Sequence, residues 1–146
     1  MSSHVIYALL MLAAGIGVPI LAAMNARLGT ALASPQIAVL ILILVVGVTM
    51  ALVTLLTGLP KTLKADVPFY VYGAGLLFLF YILSITWIAP KFGIGNAIFF
   101  ALLGQLVSAA LIDHLGLFGA AKTSIDATRL LGLFVMAAGL FLSVKR

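Results

Sequence analysis

Few residues in this chain can do chemistry, and most of them sit inside apolar runs. Gln105 stands near the middle of the run from Gly93 to Leu115, and the pair Asp113-His114 closes it. Asn25 and Arg27 follow a run that contains Gly15, Gly17 and Pro19, and Tyr81, Ser84 and Trp87 lie in a third. An amide or hydroxyl in such a run has no partner unless another helix or a wet cavity supplies one. Each therefore marks either a helix–helix contact or the wall of a polar path.

These residues do not make a catalytic set. The chain has no cysteine, so it has no thiolate nucleophile and no disulfide framework. His4 and His114 are far apart and lack a metal-ligand spacing, so neither metal nor cofactor is expected. Ser84 and Ser108 have no histidine near their depth to act as base. All three carboxylates, Asp66, Asp113 and Asp126, fall at the ends of runs or between them. A proton-exchange scheme built on one deep carboxylate has no candidate. The chain is thus not expected to be an enzyme.

What remains is a path. Asn25, Gln105 and Ser108 are candidate liners, and Tyr81, Ser84 and Trp87 a candidate aromatic wall with a hydroxyl, suited to an organic or cationic substrate. Asp113 and His114 are candidates for coupling or gating. Each has a plainer reading: a helix cap or interhelical bond, an interfacial aromatic belt, a solvated helix end. At about 100° per residue, Ala101, Gln105, Ser108, Ala109 and Ile112 share one helical face, while Asn96 falls opposite Gln105. Phe80, Ser84 and Trp87 also follow helical spacing.

The elements that must hold these residues follow from composition. Of 146 residues, 65% are hydrophobic and 8% charged, against about 25% charged in soluble domains. The apolar residues fall in several long runs, which predicts an all-α, multi-pass membrane protein with membrane lipid as its surroundings. The spans are expected at about 5–24, 36–57, 68–89, 93–115 and 127–144, in a single transmembrane domain over 1–146. Pro19, with Gly15 and Gly17, predicts a flexible break in the first span. Pro90 and Gly93 end the third. Gly132, Gly139 and Ser143 give the last span a face of small residues for dimer or bundle packing.

Charge bears on assembly. Net charge is +5, but the eight Lys and Arg are scattered between spans and do not form a nucleic-acid stripe. With five spans, Lys61, Lys64, Lys122 and Arg129 fall on the side of the N-terminus, and Arg27, Lys91, Lys145 and Arg146 on the other. Four against four removes the usual orienting bias. Either one strong helix orients the chain, or it inserts both ways and pairs with an inverted copy, making from one sequence the inverted repeat common in transporters.

Several motifs resemble a known family. Asn25-Ala-Arg27-Leu-Gly29, Gly104-Gln105, Ile112-Asp113-His114-Leu-Gly116-Leu-Phe-Gly119, Arg129-Leu-Leu-Gly132 and Gly139 resemble the small five-span YdcZ-type family of the drug/metabolite transporter superfamily. Asp-His-Leu-Gly here stands where the family has Asp-His-Phe-Gly. The resemblance implies half of a ten-helix transporter-like fold, completed as an antiparallel, dual-topology homodimer in the bacterial inner membrane. It also implies a transporter of a small molecule, here a polar or amphipathic metabolite. The alternatives are a non-transporting membrane scaffold and an obligate half of a heterodimeric transporter.

Overall fold

A computed structural model of the chain describes residues 3–59 and 66–144. Among them there is no strand, and five α-helices follow in order: α1, Ser3–Ala31; α2, Pro35–Thr57; α3, Ala74–Phe92; α4, Ile94–Leu115; α5, Ala127–Val144. Single 3₁₀ segments precede α3 at Phe69–Gly73 and follow α4 at Leu117–Gly119. Lys61, Lys64, Lys145 and Arg146, four of the basic residues that weigh on topology, lie outside the described residues. By length and composition α1, α2, Phe69–Phe92 and α4 can each cross a membrane, and α5 is a shorter apolar helix.

α1 is one continuous helix with Pro19 inside it. A Cβ on Gly15 or Gly17 would meet nothing within 4 Å. α3 has Pro90 inside its last turn. It runs to Phe92 and ends at Gly93, whose φ of 89° suits glycine and whose N–H donates to the Ala89 carbonyl at 3.0 Å. A proline so near a helix end removes one backbone bond without unwinding the last turn.

The helices group into two compact units, Met1–Ile94 and Gly95–Arg146. In the first, α1, α2 and α3 all pack on one another. Ala22, Ala26 and Gly29 form a stripe of small residues on α1, and all three are buried. Small side chains let backbones approach, and dispersion then holds them. A Cβ on Gly29 would lie 3.2 Å from Thr86 Cγ2 and 3.3 Å from Pro35 Cα. Ala38 and Val39 of α2, with Ile82, Ile85 and Ala89 of α3, complete this core. It sits at the end of the unit where α1 turns into α2, so α1 and α3 run the same way and α2 returns.

Ser34 makes that turn possible. Its hydroxyl accepts the Ile37 N–H at 3.3 Å as the N-cap of α2, and Pro35 occupies the first helical position. In the second unit Gly116, at φ 65°, ends α4. The chain then returns to α5, where Asp126 Oδ1 accepts the Arg129 N–H at 2.7 Å. Ala110 is the one buried residue of α4.

Candidate functional site

Asn25 lies in the packed end of the first unit. Its side-chain amide donates to Thr86 Oγ1 at 2.7 Å, and the Thr86 hydroxyl donates to the Ile82 carbonyl at 2.6 Å. Both residues are buried, at 5% and 1% exposure. Thr86 thus joins a side chain of α1 to the backbone of α3. The sequence reading passed over Thr86. The signal for it was Asn25 itself, since an amide among apolar residues needs a partner on a facing helix.

Ser84 and Trp87 do share a surface. With Phe80 and Leu83 of α3, and with Pro35 and Gln36 at the start of α2, they line a cleft of about 320 Å³. Tyr81 is half-buried on the same helix but is not among the lining residues. Two features of this cleft are not legible from α3 alone. First, the Lys91 ammonium lies 4.0 Å from the centre of the Trp87 ring. Such a contact gains about 0.5–1 kcal/mol at an exposed site. A second cation brought to the same ring, about 7 Å from Lys91, would be repelled by about 2 kcal/mol at an effective dielectric of about 20. Second, the Gln36 side-chain oxygen accepts the Ser34 hydroxyl at 3.2 Å, which leaves its NH₂ group as the free end of that amide.

On α4 the arrangement is the reverse of that around Asn25. Gln105 and Ser108 are both exposed, with exposed Gly104 and Ala109 beside them. Among the described residues Gln105 has no hydrogen-bond partner, and a Cβ on Gly104 would meet nothing within 4 Å. This face of small and polar side chains is uncovered.

The end of α4 is tied to α5. The Arg129 guanidinium pairs with Asp113 Oδ2 at 2.6 Å, both side chains about a third exposed. The Thr123 N–H donates to the Asp113 carbonyl at 2.8 Å, and the Ile125 N–H donates to His114 Nδ1 at 3.1 Å. An accepting Nδ1 puts the imidazole proton on Nε2. Asp113 and His114 therefore form a clasp on the loop, with Arg129 as the partner that the sequence reading did not assign. Gly139 and Ser143 of α5 border a groove of about 210 Å³ whose other wall includes Phe99 and Leu106 of α4. Gly132 is exposed and uncontacted. Among the described residues no group of His and carboxylates could hold a metal.

One family model, described as "Putative inner membrane exporter, YdcZ", matches residues 6–142, a stretch that reaches from α1 into α5. The chain belongs to the YdcZ family. A family model that spans α1 to α5 agrees with a multi-pass membrane protein and with a transporter-like role, and its description names an exporter and not an enzyme. No curated protein and no solved structure matches the chain at a significant level.

Proposed function

We propose that the chain is a secondary-type transporter that moves a small polar or amphipathic metabolite by alternating access, as a dual-topology homodimer. Two oppositely inserted copies then make up a ten-helix transporter. The observation that carries this reading is Gln105, an exposed amide with no hydrogen-bond partner among the described residues, in a helix able to cross a membrane. Eleven residues of α4 precede it and ten follow, so it stands at mid-helix. Two α4 helices packed antiparallel bring their amides together near the bilayer centre, where each can donate to and accept from the other. The small residues around Gln105 permit that approach, and the even division of basic residues favours insertion both ways.

In this reading Gln105, Ser108, Tyr81, Ser84 and Trp87 line the path. Asn25, held by Thr86, is reached when α1 and α3 part. The Asp113–Arg129 pair with His114 is the gate, and Gly132, Gly139 and Ser143 serve helix packing. The chain is free of cysteine, so Gln105→Cys is a clean crosslinking probe. Copies should crosslink at 105, and C-terminal reporters should find the chain in both orientations. A single orientation overturns the homodimer and favours an obligate partner of opposite topology. Transport in proteoliposomes that survives Gln105→Ala undiminished removes Gln105 from the path.

A further inference from the structure

The α2–α3 cleft has a chemistry that goes beyond a general transport path. Its apolar wall is Phe80, Leu83 and Trp87, enough to take an aromatic ring. Its polar groups offer donors. Gln36 presents NH₂ because its oxygen is engaged by Ser34, and Ser84 presents a hydroxyl. Lys91 does not itself line the cleft, but its ammonium lies over one face of the lining Trp87 ring, 4.0 Å from its centre, and places a positive charge beside the site. The cleft also reaches the first turn of α2, the positive end of that helix, while residues 80–87 of α3 lie more than a turn from the negative end at Phe92. The only carboxylate in Met1–Ile94 is Asp66, at the opposite end of α3. Within Met1–Ile94, then, no carboxylate stands at this end of the helices to oppose an anion.

We propose that this cleft binds an amphipathic organic anion, an aromatic carboxylate, with its ring against Phe80 and Trp87 and its charge toward Lys91 and the Gln36 amide. This names the substrate class for the transport reading and rests on it for its purpose, though not for the binding itself. It also replaces the cationic substrate that the aromatic wall alone suggested.

Trp87 is the chain's only tryptophan, so energy transfer from it reports occupancy of this site directly. Purified full-length protein in detergent is titrated with three dansyl probes that differ in charge: dansylglycine (anionic), dansylamide (neutral) and dansylcadaverine (cationic). The expected order of affinity is anion, neutral, cation. Lys91→Gln should weaken dansylglycine by about tenfold, the weight of one charge-assisted contact, and should bring dansylcadaverine level with it or ahead. Lys91→Arg should keep the wild-type order. Lys91 is exposed, so these variants leave the packed end of the unit intact. Tighter binding of dansylcadaverine to the wild type overturns the proposal. So does transfer that Lys91→Gln leaves unchanged, or no saturable transfer from any probe. The assay needs no gradient and no second orientation. Saturable dansylglycine binding without uptake in proteoliposomes would sink the transport reading and leave this site standing. Uptake without transfer from Trp87 would do the reverse.

Discussion

Asn25 and Gln105 are both amides in membrane helices, and the fold treats them in opposite ways. Asn25 meets Thr86 on a facing helix and is buried. Gln105 is exposed and has no hydrogen-bond partner among the described residues. The chemistry of the two groups is the same; the difference lies in what stands opposite. Around Asn25 the stripe Ala22, Ala26 and Gly29 draws α3 close enough for a bond. Around Gln105 similar small residues are present, but a Cβ on Gly104 would meet nothing within 4 Å. A polar group in a span is a stitch within the protomer when its partner is present. When the partner is missing, it points to another molecule, because lipid cannot take the partner's place.

That contrast can be broken at several points. The largest effect is expected at Gly29. Gly29→Val forces atoms against Thr86 and Pro35 and should destabilise the protomer by about 2–3 kcal/mol, near the upper end for overpacking. Gly104→Val, where there is open space, should change unfolding by less than about 0.5 kcal/mol. Equal losses in detergent unfolding would mean that the two stripes are packed alike. Next comes Thr86→Val, which leaves the Asn25 amide buried and unpaired and should cost about 1–2 kcal/mol. Thr86→Ser should retain most of that, and the pair Asn25→Leu with Thr86→Val should recover part of it, since removing both partners leaves no orphan.

A smaller loss is expected at the clasp. Asp113→Asn breaks an ion pair that is about a third exposed and should cost below about 1 kcal/mol. Its clearer readout is faster proteolysis of the loop from Gly116 to Asp126. The smallest effect on the protomer belongs to Gln105→Ala, which should leave its unfolding unchanged while weakening association between copies. A stability loss as large as that of Thr86→Val would show that Gln105 is paired within the chain, and the contrast would fall.

Much of the architecture was open to a reading of the residues. Runs such as Ile37 to Val46 have one stable form in hydrocarbon, a helix that satisfies its own backbone. Helix ends were less open to such a reading: α1 runs to Ala31, seven residues past the expected 24, and α3 runs to Phe92. Pro19 and Pro90 each remove one hydrogen bond, and neighbouring turns carry the helix through both. Helical spacing also placed Ser84 and Trp87 on one wall. It could not place Pro35 and Gln36 against them, because those residues come from another helix, 48 or more positions away. Thr86 and Arg129 were overlooked for the same reason: each matters through a partner, Asn25 or Asp113, on another helix.

Composition and periodicity alone therefore decide that this chain is a helical, multi-pass membrane protein. Hydrophobicity and backbone satisfaction are properties of a segment, and a segment carries them wherever it sits. Which amide is satisfied, which face of Trp87 is taken and which surface is left bare were decided by tertiary structure. Hydrogen bonds and charge contacts act over a few ångströms, and only packing brings distant positions that close.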